Sequence, residues 1–381
     1  MQDLIESHVT KDVLVDAGRL TALIDEILRA DGCSGDEANC VAEHLVEASL
    51  RGHDSHGVIR LPRYHSWLAT GRIKARQSLH TVASFGVARQ FDGGSGMGQY
   101  LAREATREGI ALAREQGMGL VVLRRAGHIG RVGAYAEQAA EAGYISLFFV
   151  NVSGSRLVAP FGAAQRAAST APVTIGVPNS DGDDFILDFA TSKVAEGKAL
   201  VAARGGADLP RDALMGADGV PTTDPQALYG GSLTEGLPDP LAGAGALNPF
   251  GDHKGSGLML ACELLGGALS GNGTNGPSDP EFGNGMLSIF LDPARFDDLG
   301  RFDGEVARYI DFVRSRTPAR GTDRVLIPGD KERQTRARRL SHGLPVPKPV
   351  LTAILQVAGE LDLDWNESSL AVCAPSTAED A

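Results

Sequence analysis

Apolar positions recur at helical spacing through the first 75 residues of the chain. Asp16 can cap one helix, and Ser34 with Glu37 forms a capping box that opens a second. After Gly71 short apolar runs alternate with helical segments. This alternation predicts an α/β core built around a mixed sheet.

The segments after Gly71 are assigned from their periods and their flanking turn residues. We predict helices at Gly98–Gly117, Val132–Gly143, Gly255–Leu269, Phe296–Arg314 and Pro349–Leu361. We predict strands at Leu120–Leu123, Tyr144–Val150, Val173–Val177, Phe185–Phe189 and Met286–Leu291. Residues 204–249 are polar and rich in glycine and proline, which indicates an irregular excursion over the surface.

Composition is that of a globular protein. The chain has 381 residues, 43% hydrophobic and 22% charged, enough for a large core and two or three packed units. Its net charge of −12 disfavours nucleic acid as a partner, so an anionic ligand must meet local positive groups. No apolar run approaches the roughly 18 residues of a membrane helix, and the acidic N-terminus lacks a signal-peptide pattern, so we expect a cytoplasmic protein.

Four cysteines are scattered along the chain without a C-x-x-C pair. They are Cys33, Cys40, Cys262 and Cys373. This spacing argues against a zinc knuckle or a disulfide framework. We expect reduced thiols with a structural role.

A dinucleotide-binding fingerprint, G-x-G-x-x-G, occurs at Gly271–Gly276, and Asp292 follows at about the distance of a ribose-binding acid. The motif works only where a strand turns directly into a helix. Here Pro277–Pro280 follow, and the preceding residues have helical spacing. We interpret the string as a plain glycine loop, so a nicotinamide cofactor would have to bind outside the Rossmann arrangement.

The densest group of chemically able side chains lies between Arg51 and Tyr64. If this stretch is helical, His56, Arg60 and Tyr64 share one face and offer an acid/base group, a carboxylate fork and a hydroxyl. Alternatively Pro62 lies in a first turn, and His56 precedes the helix in a loop. Ordinary surface histidines would also fit, since Ser-His-Gly recurs at Ser341–Gly343.

Three further clusters could bind an anion or carry chemistry. His128 lies among arginines and glycines where a strand turns into a helix; the alternative is a glycine-rich turn with solvated arginines. Asp188 lies in an apolar strand and needs a partner, unless it merely ends the strand. Lys254 precedes an apolar helix whose N-terminus could receive a phosphate; the alternative is a flexible capped loop.

Several strings in one order resemble the malate/L-lactate dehydrogenase family that lacks the Rossmann fold, which includes ureidoglycolate, sulfolactate and diketogulonate oxidoreductases and cyclic imino-acid reductases. The strings are GHDSHGVIRLPRY from Gly52, GHIGRVGAYAEQAA from Gly127, VAPFG from Val158, LDFATSKVAEGK from Leu187, HKGSGL from His253 and IPGD from Ile327. They run nearly from end to end of the chain.

The resemblance implies a homodimer that binds NAD or NADP in an α/β (α+β) fold of its own. A central domain with a mostly antiparallel or mixed sheet, residues 76–292, would include the excursion at 204–249. An outer helical domain would be made by both chain ends, residues 1–75 and 293–370. Residues 371–381, which are small and acidic, are expected to be disordered.

The resemblance also implies roles for particular residues. His56 would be the proton donor, Asp188 its partner and His128 a second catalytic position, while Ser55, Arg60 and Tyr64 would contact substrate. The implied cofactor contacts are Asp188, Phe189, Ala190, His253, Lys254, Gly255, Gly329 and Asp330. We expect no metal, because His53, Asp54 and His56 lack zinc-ligand spacing.

The expected reaction is hydride transfer between a nicotinamide and C2 of a small 2-hydroxy or 2-oxo acid. Within the resemblance, the loop from Asn151 to Arg156 is longer than in the ureidoglycolate enzymes, and no arginine corresponds to theirs near Phe282. The form His-Ile-Gly-Arg from His128 favours the malate, lactate and sulfolactate branch. The alternatives are a reductase of cyclic imino acids and, more distantly, a silent nucleotide-binding or assembly protein.

Overall fold

A computed structural model describes residues 12–203, 208–230, 239–276 and 281–372 of the chain. The helices are α1 Ala17–Ala30, α2 Gly35–Leu50, α3 Leu61–Ala69, α4 Gly98–Gln116, α5 Gly133–Glu141, α6 Glu196–Ala203, α7 Gln226–Tyr229, α8 His253–Cys262, α9 Phe302–Arg314, α10 Asp330–His342 and α11 Lys348–Glu360. The strands are β1 Asp12–Val15, β2 His80–Phe85, β3 Ala88–Gly96, β4 Met118–Ala126, β5 Ile145–Ser153, β6 Pro172–Val177, β7 Phe185–Ala190, β8 Leu214–Met215, β9 Pro221–Thr222, β10 Ala246–Leu247, β11 Gly283–Leu291 and β12 Leu344–Pro347.

The two predicted helix starts near the N-terminus are confirmed in atomic detail. The Asp16 carboxylate accepts a hydrogen bond from Arg19 N at 2.8 Å, at the start of α1. Ser34 and Glu37 exchange the two hydrogen bonds of a capping box at the start of α2. These bonds satisfy backbone donors that the first turn of a helix leaves open.

Seven of the described strands form one mixed sheet in the order β2-β3-β4-β11-β5-β6-β7. β3 and β4 run parallel, and the other neighbouring strands of this sheet pair antiparallel. The predicted mixed, mostly antiparallel sheet is therefore confirmed. Helices α4 and α5 bury their apolar residues against it, and Leu101, Tyr135, Phe148 and Phe290 belong to this core.

The structure divides into two compact units. The described residues up to Arg76 and from Asp330 onward form the first unit, in which β1 and β12 pair antiparallel and join the two ends of the chain. The residues from Gln77 to Gly329 form the second unit. The predicted boundary at residue 293 is wrong, because α9 belongs to the second unit, where Arg314 forms an ion pair with Asp183 at 3.3 Å.

Some elements differ from their predicted bounds. The helix predicted from Phe296 begins only at Phe302, because the Asp297 carboxylate accepts hydrogen bonds from Arg301 N and Phe302 N and so caps α9. Strands β1, β2, β3 and β12 and helices α6 and α10 were not predicted. β2 is exposed on nearly every residue, and α10 lacks an apolar stripe, so neither shows the period of a half-buried element.

The predicted excursion at 204–249 holds only short elements in its described part, β8, β9, α7 and β10. It is nevertheless well fixed. Arg166 donates to the backbone oxygens of Pro240 and Gly243, each at 2.9 Å, and also to that of Gly245. A second apolar core, with Leu214, Leu228 and Met259, lies beneath it.

The glycine string at 271–276 follows a π-helical turn, Glu263–Ala268, that continues α8. The interpretation as a glycine loop is thus confirmed, because no strand precedes it; Pro277–Pro280 lie outside the described residues. Cys373 and residues 373–381 of the predicted tail also lie outside them, while Ala371 pairs with Val15, so that residue is ordered. None of the described helices is long and apolar enough to cross a bilayer.

Candidate active site

The stretch that carries His56 is not a continuous helix. Asp54–His56 and Val58–Arg60 form two 3-10 turns, and Gly57 between them is extended, with φ −92° and ψ −151°. Helix α3 then begins at Leu61 with Pro62 in its first turn. The prediction of a loop position for His56 is therefore confirmed, and the single helical face shared with Arg60 and Tyr64 is wrong.

Two polar residues at the beginning of this stretch are engaged with α10. His53 Nε2 lies 3.5 Å from the Glu332 carboxylate, and Asp54 accepts from Arg339 at 2.6 Å. Both contacts join the two ends of the chain within the first unit. The contacts of His53 and Asp54 thus stabilise the first unit. Among the described residues, no group of His, Cys, Asp or Glu is arranged to hold a metal ion.

His56 and Arg60 both contact Ser55. The Ser55 hydroxyl lies 3.0 Å from His56 Nδ1, and Arg60 Nε donates to the Ser55 carbonyl oxygen at 2.5 Å. An imidazole and a guanidinium are therefore oriented by one residue. The Ser-His contact alone is not diagnostic, because Ser341 and His342 repeat it at 2.8 Å at an exposed helix end.

Tyr64 lies on α3 and is 1% exposed, with its ring centroid 6.0 Å from that of Trp67. Its burial distinguishes it from Ser55, His56 and Arg60, each of which is partly exposed.

The segment that carries His128 joins β4 to α5 in the second unit. His128 itself is half-buried. Gly127 N donates to Gly96 O at 2.9 Å, Ile129 N donates to Asn284 Oδ1 at 3.0 Å, and Tyr135 Oη donates to Ile129 O at 2.5 Å. The backbone on both sides of the imidazole is therefore fixed.

The arginines near His128 have carboxylate partners. Arg124 and Arg125 both donate to Asp92, at 2.9 Å each, and Arg131, only 3% exposed, pairs with Glu137. The alternative of solvated arginines is wrong at Arg131. Burial raises the pKa of Asp92, but the hydrogen bonds from Arg125, Gly94 N and Arg124 outweigh it and leave the pKa below its usual value.

Asp188 is held at both carboxylate oxygens. Oδ1 accepts from the Thr174 hydroxyl at 2.8 Å on the neighbouring strand β6, and Oδ2 accepts from Gly133 N at 2.7 Å at the start of α5. A side chain on residue 133 would not fit, because its Cβ would lie 2.9 Å from Asp188 Oδ2. Asp188 thus has the partners that its apolar strand demanded, and they connect it to the helix that follows the His128 segment.

The end of β7 and the start of α8 are brought together. The rings of Phe189 and Phe250 meet edge to face with centroids 5.4 Å apart, and Phe250 N donates to Thr191 O at 3.0 Å. His253 and Lys254 are exposed in the first turn of α8, beside the buried Gly255. Two cationic or ionisable groups at the positive end of a helix dipole fit the phosphates of a dinucleotide.

Gly329 and Asp330 stand at the boundary of the two units. Gly329 has φ +96°, a backbone conformation that residues other than glycine rarely adopt. Asp330 begins α10 and accepts from Arg333 at 2.7 Å, while Pro328 O accepts from Ile186 N on β7. The expected turn is therefore the start of a helix.

The sequence did not single out Thr174, Asn151, Glu263, Asn272 or Asn284. Thr174, Asn151 and Asn284 are polar residues buried inside otherwise apolar strands. A search for such residues could have found them, because a buried polar side chain requires a partner.

The fold has close counterparts among solved structures. A putative malate/lactate dehydrogenase from E. coli has a TM-score of 0.84 and 34% identity, with 93% of this chain and 97% of that chain covered. A delta1-piperideine-2-carboxylate reductase from Pseudomonas syringae is also similar, with a TM-score of 0.74, 29% identity and 91% and 99% coverage. This chain therefore shares its fold with a dehydrogenase and with a reductase.

The chain belongs to the malate/L-lactate dehydrogenase family, whose pattern matches residues 15–355. Hydroxycarboxylate dehydrogenase B of Escherichia coli is 35% identical over 354 residues, covering 91% of this chain and 94% of that protein. L-lactate dehydrogenase of Cupriavidus necator is 37% identical over 321 residues, covering 83% and 89%. The predicted family is confirmed, and so is the predicted class of enzyme, a 2-hydroxyacid dehydrogenase that acts on a CH-OH group.

Proposed function

We propose that this protein transfers a hydride between NAD or NADP and C2 of a small 2-hydroxy or 2-oxo acid, of the malate, L-lactate or sulfolactate type. The observation that supports it most directly is the convergence of His56 and Arg60 on Ser55. An acid/base group and a carboxylate-binding group held together are what a 2-oxo acid requires.

His56 is the proposed proton donor to the substrate oxygen. Because Nδ1 lies 3.0 Å from the Ser55 hydroxyl, we assign the transferred proton to Nε2. In the direction of reduction, the substrate oxygen gains this proton as C2 gains the hydride, and the imidazole becomes neutral. The negative charge of Asp188 would stabilise the charged imidazole, and His128 would be a second catalytic group.

Arg60 is the proposed carboxylate receptor. Its Nε is engaged by the Ser55 carbonyl, which orients the guanidinium, and the terminal Nη groups would bind the carboxylate by a two-pronged hydrogen bond. Ser55 and Tyr64 complete the proposed substrate contacts.

A nicotinamide cofactor, when bound, would supply or accept the hydride. The residues proposed to hold it are Asp188, Phe189, Ala190, His253, Lys254, Gly255, Gly329 and Asp330. Lys254 and His253 would neutralise its phosphates, and the close approach of Phe189 to Phe250 places the end of β7 beside that helix start. The proposal also includes a homodimer in the cytoplasm, in which the two chain ends form one outer domain. Light scattering after size-exclusion chromatography tests the dimer.

Two variants test the role of His56. We expect His56→Ala to lower kcat by roughly 10² to 10⁴ with the cofactor saturating, because a general acid contributes that much. His342→Ala is the matched control, since its imidazole has the same Ser-His contact on the exposed end of α10. Undiminished turnover in His56→Ala would refute the assignment.

A substrate panel tests the rest. Oxidation of NADH and of NADPH is measured with pyruvate, oxaloacetate, sulfopyruvate and a cyclic imino acid. We expect the 2-oxo acids to be the better substrates. Faster reduction of the cyclic imine would instead favour the alternative function, a reductase of cyclic imino acids. The similarity to a piperideine carboxylate reductase is the reason for including this substrate.

A further inference from the structure

A network of side-chain amides lies behind the His128 segment. Asn284, 2% exposed on β11, accepts from Ile129 N at 3.0 Å and donates to Asn151 O at 2.9 Å. Asn272, in the glycine loop that resembles a dinucleotide fingerprint, accepts from Arg125 N at 2.9 Å. Ile129, directly after His128, and Arg125, three residues before it, are thus each held by an asparagine.

The network has a direction. Asn272 Nδ2 donates to Asn151 Oδ1 at 3.0 Å, and Asn151 Nδ2 donates to the Glu263 carboxylate at 2.9 Å. An ionised carboxylate only accepts, whereas each amide has one donating and one accepting end. Glu263 therefore fixes which end of Asn151 faces Asn272. Asn272 Nδ2 also donates to Ser153 Oγ at 3.1 Å and to Gly283 O at 3.4 Å, so its Oδ1 faces Arg125 N.

Glu263 is itself well fixed. It is 7% exposed at the start of the π-helical turn and also accepts from Asn275 N at 3.0 Å and Asn275 Nδ2 at 2.8 Å. π-helical turns inside α-helices occur frequently at functional sites. Three donors on one buried carboxylate make the end of the network rigid.

The segment that these amides hold has restricted backbone geometry. Arg125 has φ +49°, and Gly130 has φ +72°. A non-glycine residue with positive φ persists only where its surroundings enforce it. The Asn272 bond to Arg125 N lies at that strained residue.

We propose that Asn284 and Asn272 are positioning residues, which fix the imidazole of His128 for catalysis through the backbone on either side of it. Asn151, itself held by Glu263, fixes the orientation of Asn272 together with Ser153 Oγ and Gly283 O. The glycine loop at 271–276 thus serves the active site by anchoring it rather than by binding a phosphate. This inference rests on the proposed catalytic role of His128.

The test combines kinetics with amide exchange in the full-length protein. In Asn284→Ala the Ile129 amide loses its acceptor, so we expect the hydrogen exchange of this amide to accelerate by roughly 10-fold or more. We expect kcat with the best 2-oxo acid to fall roughly 10-fold to 10²-fold, because a small displacement of a catalytic group has that effect. Asn272→Ala, at a less buried site, is the second variant; it should accelerate exchange of the Arg125 amide, which loses its acceptor, and lower kcat.

The control is Asn179→Ala. Asn179 is 7% exposed and donates to Asp183 O in the turn between β6 and β7. That turn lies at the opposite end of the sheet from Ala126 and Asn284, as the strand registers show. We expect neither the exchange of Ile129 nor kcat to change in this variant.

A double-mutant cycle separates positioning from general stability. In the His128→Ala background, Asn284→Ala should alter kcat by less than about 2-fold, because its effect acts through the missing imidazole. An equal loss of kcat in both backgrounds, or unaltered Ile129 exchange, would overturn the inference. A His128→Ala variant with full turnover would instead refute the proposed role of His128, and the exchange data would still report on the anchoring itself.

Discussion

Asp92 shows how a single carboxylate organises the residues near the proposed site. It accepts from Arg124 and Arg125 and from Gly94 N, at 2.9 Å in each case, while its side chain is almost fully buried. Arg125 is also the residue whose positive φ begins the His128 segment. The carboxylate therefore neutralises two cations where the strand turns.

We predict that Asp92→Asn lowers the free energy of unfolding by about 1–3 kcal/mol at pH 7, since a charged acceptor of two arginines is lost. The lowered pKa of Asp92 fixes the sign of the pH dependence. The stabilisation is present above the unfolded pKa near 3.9 and disappears as the pH falls through the folded pKa. Urea unfolding from pH 7 to pH 3 should therefore show the variant and the parent converging.

Glu108→Gln is the control for that experiment. Glu108 pairs with Arg89, but both side chains are at least one-third exposed, so the pair should contribute at most about 1 kcal/mol. A loss in Asp92→Asn no larger than in Glu108→Gln would contradict the prediction.

The sequence identified individual chemical groups better than it identified their partners. His56, Arg60 and Asp188 were singled out because their residue types stand out among glycines or apolar residues. Thr174 and Gly133, which hold Asp188, lie 14 and 55 residues away from it along the chain, and their contact arises only when β6, β7 and α5 assemble. Such long-range pairs leave no local pattern.

At the scale of elements, helix-capping residues and the periodic spacing of apolar residues determined which helices and strands could be predicted. Helices α1 and α2 carry their own capping residues, so their starts were correct. The strands from β4 to β7 and β11 are apolar runs buried in the sheet, and they were found. β3 was missed because Gly93, Gly94 and Gly96 interrupt it, and these glycines weaken strand propensity.

The junction between α2 and the His56 turn depends on the absence of a side chain at Gly57. A Cβ there would lie 2.0 Å from Ser49 Oγ, the atom that accepts a hydrogen bond from Val58 N. We predict that Gly57→Ala destabilises the protein by about 1–3 kcal/mol through overpacking and lowers kcat, because the His56 turn must shift. Thermal melting and steady-state kinetics measure the two effects.

Gly304→Ala on α9 is the matched control for that variant. Its Cβ would meet nothing within 4 Å, and alanine is favoured over glycine in an exposed helix, so stability should stay the same or rise by up to about 1 kcal/mol. If both variants melted alike, steric contact with Ser49 could not be the cause.

At the scale of the whole molecule, the two units differ in how their sequences are arranged. One large apolar core, from Phe91 to Phe290, lies entirely within the second unit. The first unit combines two distant segments, which meet through β1 and β12, through α2 and α10 and through α3 and α11.

We predict that a fragment of residues 77–329 folds cooperatively by itself, because three apolar clusters lie entirely within it. A fragment of residues 1–76 should not, because β1 and α3 would lack β12 and α11. Circular dichroism melts and limited proteolysis of the two fragments test this. A cooperative melt of the shorter fragment, or none for the longer, would contradict it.

The pairing of β1 with β12 also determines when, during synthesis, the first unit can finish folding. The ribosome produces residues 12–76 first, yet their partners from Asp330 onward emerge only after the whole second unit has been made. At about 5–20 residues per second this interval is on the order of tens of seconds. Throughout it, α1 and α2 lack α11 and α10, so the first unit cannot be completed until the segment from Asp330 onward has been made.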